Sequence, residues 1–314
     1  MLIYLKSTIA HLSLNIHRVL FPSLEENSFR TFGGLILNAR VGVLTDQSKT
    51  FKSFLILFAF IFIAFPVLSQ DGEKTSVELS QQVINPTTLA WQLQLEEFAI
   101  FDTEGQDGFA QNFRIRGILP LQKGPLLPFP QLIRVIAFIN TAPGGPTGLG
   151  DITLNQFWIF MKKDWGQFGA GWNLQIPTAT DLELGSPQWQ FGPALTITFT
   201  DIGNWQMYWI IQNFFSVSKN DEYGKTQYAV LQPNIFYTWA NGIYAGIEPL
   251  WQIDYQTGKV AIPLNFRVGY VWAGKLKHNA YIEPEVMAYR SEGYTRNLNN
   301  FGIRFGFRWY LPMK

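Results

Sequence analysis

The side chains that most often carry out enzymatic or metal chemistry are rare in this sequence. It has no cysteine and three histidines, His11, His17 and His278. A disulfide scaffold and thiol-based metal sites are therefore excluded, and no cysteine or histidine pairs are available to hold a metal ion. A nucleophile, a base and an orienting group would have to be built around His278, which falls at a predicted turn. We predict no catalytic residue, no metal site and no cofactor.

The glycine-rich segment 144–150 invites comparison with a phosphate-binding loop. Such a loop needs a lysine after its last glycine and a helix that starts there. Gly150 is followed instead by Asp151 and by an alternating apolar pattern. We interpret the segment as an external loop between two strands.

Charged residues with a two-residue period give a stronger indication. Near the C-terminus, Arg304 and Arg308 alternate with the apolar residues Phe301, Ile303, Phe305, Phe307 and Trp309. Successive side chains of a strand point to opposite faces, so one face here is apolar and the other is charged. If the apolar face of every such segment contacts lipid, ten charged side chains point into a lumen: Glu96, Arg114, Arg116, Arg134, Glu248, Arg267, Glu283, Glu285, Arg304 and Arg308.

The strands that carry these residues are placed by alternation and by turn residues. Most are long enough for a tilted strand to cross a bilayer, about ten residues. The predicted fold is all-β, a transmembrane antiparallel up-and-down β-barrel of about twelve strands, with a secreted soluble β-protein as the alternative. The predicted strands are 88–100, 109–119, 130–140, 151–162, 166–176, 188–199, 204–216, 226–238, 242–254, 260–272, 277–290 and 300–310.

The connections and the tryptophans orient this barrel. From the third strand onward, long connections alternate with short ones, as external loops and periplasmic turns do. The long connection 120–129 and the short connection 255–259 break the pattern. Tryptophans at both rims fit the membrane interface, where the ring is partly buried and its N–H stays wet. Trp91, Trp158, Trp165, Trp205, Trp239, Trp272 and Trp309 fall near the periplasmic rim, and Trp189 and Trp251 near the external rim.

The lumen is predicted to have two different walls. Strands 10 to 12 and 1 to 3 meet when the barrel closes, and they carry most of the ten charges. Pairing about the midpoints of the connections places Glu96 opposite Arg114, Arg267 opposite Glu283, and Glu285 opposite Arg304. This wall is interpreted as an ionic brace, as a surface that selects solutes, or as both. The facing wall is neutral and consists of Asn155, Asn173, Gln175, Gln190, Thr196, Thr198, Gln206, Gln212, Gln232 and Asn234.

The composition suits a membrane barrel that follows a processing signal. Of 314 residues, 47% are hydrophobic and 15% are charged, and the net charge of +1 does not indicate a nucleic-acid partner. A basic flank, an apolar run and Ser69 are typical of a signal peptide over 49–69, with cleavage after Ser69. We interpret residues 1–48 as an extension from a start site assigned too early. Residues 70–87 are predicted to be a periplasmic tail or a lumen plug, and residues 88–314 the barrel.

Four short sequence motifs follow one another along the mature chain, at 148–152, 175–180, 189–193 and 231–234. With them, the chain from Asn85 onward resembles the broad family of outer-membrane barrels named after the meta pathway of phenol degradation. The resemblance implies a transport-related barrel in the outer membrane. It implies no substrate and no catalytic residue.

The sequence therefore predicts a porin-like barrel of the bacterial outer membrane that passes a small solute passively through a narrow lumen of mixed charge. Its expected partners are membrane lipid and a small-molecule solute of unknown identity, with no nucleic acid. The alternative is a structural or surface-interaction barrel with a sealed lumen, whose external loops do the work. A lipid-modifying barrel enzyme ranks third, because His278 lies at the end away from the outer leaflet.

Overall fold

The structure, a computed structural model, describes residues 76–124, 128–217, 224–273 and 276–311. The predicted signal peptide, the extension before it and residues 70–75 lie outside the described residues. Within the described ranges, no helix has both the length and the apolar character needed to cross a membrane. The elements there are α1 (Ser76–Ile84), β1 (Trp91–Thr103), β2 (Ala110–Leu121), β3 (Gln131–Thr141), β4 (Thr147–Leu149), β5 (Ile152–Lys163), β6 (Gly166–Ile176), β7 (Gln190–Ile202), β8 (Trp205–Ser216), β9 (Gln227–Thr238), β10 (Ile243–Ile247), β11 (Trp251–Asp254), β12 (Val260–Asn265), β13 (Arg267–Ala273), β14 (Lys277–Arg290) and β15 (Asn299–Leu311).

The strands form one antiparallel sheet that closes because the first strand pairs with the last. Trp91 lies opposite Leu311, and Glu97 lies opposite Phe305. Along the rest of the sheet, neighbours in sequence are neighbours in space. Strands β10 and β11 together make one crossing, β12 and β13 make another, and β4 only extends the edge of a loop. The described strands therefore cross twelve times, which confirms the predicted all-β barrel of about twelve strands.

Proline explains why two predicted strands are interrupted. Ile247 lies opposite Ile235 and Trp251 opposite Leu231, a register that puts Pro249 across from Pro233. Neither proline has an N–H to donate to the ladder, so the predicted strand 242–254 divides into β10 and β11.

The predicted strand 260–272 divides for a related reason. The register on both sides of Phe266 puts Pro284 of β14 across from it. The Phe266 N–H donates to the Pro284 carbonyl at 3.1 Å, but the proline has no N–H to return. A further difference is β4, which pairs with β3 inside the predicted loop 141–150.

The barrel is apolar outside and polar inside. On the outer face, Trp91, Trp165, Trp189, Trp205 and Trp239 are each 44–47% exposed. On the inner face, amide and hydroxyl side chains of β5 to β9 are almost completely buried. This polarity is the reverse of that in a soluble sandwich and matches a barrel with lipid outside and a polar lumen inside.

The two ends of the barrel differ in their connections. One end, called here the short-turn end, carries the turns 203–204 and 239–242, where Gly203 and Gly242 adopt φ of 65° and 86°. Glycine adopts these left-handed conformations at little cost. The other end, the long-loop end, carries the connections 142–151 and 177–189. In bacterial barrels of this kind, short turns face the periplasm.

Candidate functional site in the barrel lumen

The charged wall of the lumen is organised around Glu283 on β14. Its carboxylate accepts hydrogen bonds from Arg267 Nε at 2.5 Å, from Arg304 Nη1 at 2.9 Å and from Asn265 Nδ2 at 2.8 Å. Only 1% of Glu283 is exposed. Burying a carboxylate is costly unless opposite charges and hydrogen bonds replace its hydration. Glu283 has both.

Each of the two arginines also binds a second carboxylate. Arg304 donates to both oxygens of Glu285, at 2.6 and 3.1 Å, and Arg267 forms an ion pair with Glu248. The guanidinium of Arg304 also lies 3.8 Å from the ring centroid of Phe98 on β1. Cation–π contact of this kind adds to the electrostatic stabilisation of a desolvated guanidinium.

A second centre of the charged wall is Glu96 on β1. Arg114, directly opposite on β2, forms an ion pair with it at 2.5 Å. The hydroxyl of Tyr281 donates to the same carboxylate and accepts from Gln94 Nε2 at 2.6 Å. Because Tyr281 lies on β14, this network joins the first strand to the penultimate one.

Two of the three predicted cross-strand pairings are confirmed. Glu96 lies opposite Arg114, and Arg267 comes across from Glu283 and binds it. The third is wrong, because Arg304 lies opposite Glu283 and Glu285 lies opposite Gly302. Pairing the strands about the midpoint of their connection therefore placed the partner of Arg304 two residues from its position in the structure. A displacement of two preserves the face of a strand, so Arg304 still points inward and reaches both carboxylates.

The structure places all ten predicted charged residues on the inner face. A cavity of about 520 Å³ lies between them and the facing amides, among them Asn155, Gln190 and Gln232. Glu285 lies against Arg304, while Arg134 and Arg308 contact the segment before β1. That these residues select solutes remains a prediction. Those that line the cavity are Glu96, Arg114, Arg116, Glu248, Arg267, Glu283 and Arg304.

The connection 177–189 folds over this cavity at the long-loop end, and Ser186 and Pro187 line it. Asp151 fixes the connection by accepting hydrogen bonds from the backbone N–H groups of Ala179 at 3.2 Å and Ser186 at 2.6 Å. Gly185 is required there, since a Cβ would come 2.5 Å from the Cβ of Ala179. This part of the loop is therefore held in place and narrows the mouth.

An arginine on the opposite side of the mouth also reaches the cavity. Arg296 pairs with Asp254 at 3.2 Å, and its guanidinium lies 4.8 Å from the ring centroid of Tyr228. Nearby, the hydroxyl of Tyr294 donates to Gln252 Oε1 at 2.9 Å. Burial raises the pKa of Tyr294 to about 12, so this hydroxyl keeps its proton and its hydrogen bond at alkaline pH, where an exposed tyrosine ionises.

Helix α1 lies at the short-turn end, inside the ring of strands. Its side chains Leu79 and Val83 are buried in the same apolar cluster as Phe236, Tyr244 and Val271. A cavity of about 680 Å³ lies beside the helix. The helix was not predicted from the sequence, although Leu79 and Val83 have the four-residue spacing of one helical face.

The C-terminal end of α1 is held by lumen arginines. The carbonyl of Val83 accepts from the Tyr310 hydroxyl and from Arg308 Nη1, the latter at 3.4 Å, and the Pro86 carbonyl accepts from Arg134 Nη2 at 2.8 Å. The last carbonyls of a helix have no partner in the helix and carry a partial negative charge. Cationic groups at this position therefore stabilise the segment.

His278 is the one histidine among the described residues. It lies in β14 rather than in a turn, and its ring stacks on Trp272 with centroids 5.3 Å apart. The register puts Trp309 on its other side. Its surroundings are those of an aromatic rim residue.

Comparisons with known proteins bear on the fold. No protein-family model matches the sequence, and no curated protein matches it. The barrel is similar to an outer-membrane channel from Pseudomonas putida F1, with a TM-score of 0.50 and 10% identity over 73% of this chain and 100% of that one. The chain folds as an outer-membrane β-barrel. Membership of this outer-membrane barrel in the meta-pathway family remains a prediction.

Two other solved structures are similar to this outer-membrane barrel. The NanC porin has a TM-score of 0.49 and 9% identity, over 71% of this chain and 100% of that one. Outer membrane phospholipase A from Escherichia coli has a TM-score of 0.42 and 14% identity, over 76% of this chain and 99% of that one.

Proposed function

We propose that this barrel is a passive channel for a small solute, with a narrow lumen of mixed charge. The observation that carries the proposal is the cavity of about 520 Å³ between the charged wall and the amide wall. Eight-stranded barrels are filled by side chains, whereas sixteen strands leave a wide aqueous pore. Twelve crossings lie between these cases and leave a space suited to small molecules.

The two interpretations of the charged wall are compatible in this geometry. Glu283, Glu285 and Arg304 satisfy one another and brace the wall. Arg116 and the amides Gln212 and Gln232 turn toward the cavity. A solute in the cavity therefore meets neutral hydrogen-bonding groups on one side and a largely compensated charged surface on the other.

Helix α1 favours a second candidate, a barrel whose lumen is sealed. Gln81 Nε2 donates to the Gly203 carbonyl at 2.5 Å, and Lys277 Nζ donates to Gln82 at 2.9 Å. Such contacts join the helix to the turns and strands around it. A channel of this kind conducts only if solute passes beside the helix or if the helix moves aside, whereas a sealed barrel keeps it in place.

Conductance in planar lipid bilayers tests the proposal. The mature chain is expected to conduct, and a variant that lacks Ser76–Ile84 is expected to conduct more. Conductance by the deletion variant alone would favour the sealed barrel, and the absence of conductance from both would refute the channel. Heat-modifiable gel mobility establishes that each variant is folded.

A reversible cross-link provides the matched control. The hydroxyls of Thr87 and Thr198 lie 3.3 Å apart, and the chain has no cysteine of its own. In the double variant Thr87→Cys with Thr198→Cys, a disulfide is expected to hold the segment in the lumen and lower conductance. Reduction of the disulfide is expected to restore it.

A further inference from the structure

The lumen contains more arginine than glutamate. Six arginines and four glutamates make up the ten charged residues. All four glutamates bind Arg114, Arg267 or Arg304. Arg116, Arg134 and Arg308 are left without a carboxylate partner among the described residues, and we call these three the spare arginines.

Only one of the spare arginines is available to a solute. Arg134 and Arg308 donate to the carbonyls of Pro86 and Val83. Arg116 makes no hydrogen bond or ion pair with another described residue, and it lines the cavity of about 520 Å³ with its Nε shielded from solvent.

The other two spare arginines lie close to Arg116 on the wall. Gln94 of β1 lies opposite Arg116 on one side and opposite Arg308 on the other. Arg134 lies opposite Ile118, two residues beyond Arg116 on the same face of β2. Glu96 and Glu248 interact electrostatically with Arg116, but each forms its ion pair with another arginine, so this part of the lumen carries an excess of positive charge.

Among the described residues, no carboxylate forms an ion pair with Arg116. Removing a cation from water is costly unless a counter-charge and hydrogen bonds replace its hydration. The planar fork of a guanidinium binds carboxylate and phosphate oxygens in pairs. Asn155 lines the same cavity and is 1% exposed, and its Nδ2 has no acceptor among the described residues. Arg114 Nε also lacks an acceptor among the described residues and Arg114 lines the same cavity, but Arg114 has Glu96 as its counter-charge.

We infer that Arg116, with Asn155 as a second donor, forms a binding site for a small oxyanion in the lumen. The inference rests on the proposed function in one respect, since it names small organic anions as the class of solute that the channel passes. Binding itself does not depend on conduction. A carboxylate and free phosphate share the required chemistry, and the experiment separates them.

Ligand-detected NMR measures binding to the detergent-solubilised barrel, with sodium acetate as the probe and inorganic phosphate as the competitor. Acetate is expected to bind saturably, and Arg116→Gln is expected to weaken it at least tenfold. Lys163→Gln removes the same charge from an exposed position on the rim and is expected to leave the affinity unchanged. Competition by phosphate would define a general oxyanion site, and lack of competition a carboxylate site.

A second variant distinguishes a loss of acetate binding from a loss of folding. Arg116→Lys keeps the charge but loses the planar fork, so it is expected to bind acetate with an affinity between those of the natural chain and Arg116→Gln. The inference is overturned if acetate does not bind saturably to the natural chain, or if Arg116→Gln binds it equally well.

Reversal potentials in a tenfold KCl gradient complete the test. The natural chain is expected to prefer chloride, and Arg116→Gln to show a weaker preference, because Arg134 and Arg308 remain. Acetate binding without conductance would uphold the site and refute the channel. Conductance without acetate binding would uphold the channel and refute the site.

Discussion

Glu283→Gln is expected to destabilise the barrel by about 3 kcal/mol. Removing one member of a buried ion pair costs about 3 to 5 kcal/mol, because its partner stays buried without a counter-charge. Here Arg267 and Arg304 each keep another carboxylate, Glu248 and Glu285 respectively, so we expect the lower end of this range. The glutamine oxygen also preserves an acceptor for Asn265, which binds Glu283 at 2.8 Å.

The assay is the folded fraction by heat-modifiable gel mobility across a urea series in lipid vesicles. Glu97→Gln is the matched control, since Glu97 is 6% exposed but lies on the outer face opposite Phe113 and Phe305. Among the described residues it has no hydrogen bond or ion pair. Removing its charge from an apolar surface is expected to leave stability unchanged or to raise it.

A double-mutant cycle tests the reasoning behind the magnitude. Glu283→Gln combined with Arg304→Gln is expected to cost less than the sum of the single changes, with a coupling energy of about 1 to 3 kcal/mol. Additive losses would show that the two side chains do not stabilise each other. Equal losses for Glu283→Gln and Glu97→Gln would show that burial alone, and not ion pairing, sets the cost.

Three further predictions concern the wall and the N-terminus. Gly171→Ala is expected to abolish the folded gel form, because a Cβ would overlap the Gln156 carbonyl oxygen, whereas Gly117→Ala, with open space around it, is expected to fold normally. Ile303→Arg is expected to destabilise the barrel in the urea assay by about 2 to 4 kcal/mol, since it puts an arginine on the lipid face near mid-barrel; an unchanged midpoint would contradict the register. Mass spectrometry of the mature protein is expected to find an N-terminus near Gln70, and peptides from residues 1–48 would refute the predicted cleavage.

Alternation predicted the strands well because the membrane imposes it on every crossing. The bounds of β6 and β14 are the predicted ones, 166–176 and 277–290. The breaks at Pro249 and Phe266 were missed because they depend on which residue lies across the ladder. A proline breaks the ladder only where the residue opposite it needs a backbone N–H as donor. The sequence of one strand does not show which residue that is.

The sequence predicted which side chains of the candidate site point into the lumen. It did not predict which of them contact one another. Face depends on parity alone, and all ten charged side chains lie on the inner face, seven of them in the lining of the cavity. Partners depend on the shape of the connection, and the turn within 291–298, where the Tyr294 N–H donates to the Ser291 carbonyl, shifts β15 by two residues from the midpoint register. Helix α1 was missed because its nine residues are too few for the helical period to stand out.

The charged wall is also the seam of the barrel. Arg304 of β15 covers Phe98 of β1, and Tyr281 of β14 reaches Glu96, so these contacts join chain segments about as far apart in sequence as the fold allows. Contacts of such long separation form late, after local hairpins have assembled. These two seam contacts are therefore absent while the neutral meander of β5 to β9 forms, whereas the ion pairs of Glu283 join strands that are neighbours in sequence. Weakening the seam contacts should leave the early steps of folding unchanged and shorten the lifetime of the closed barrel.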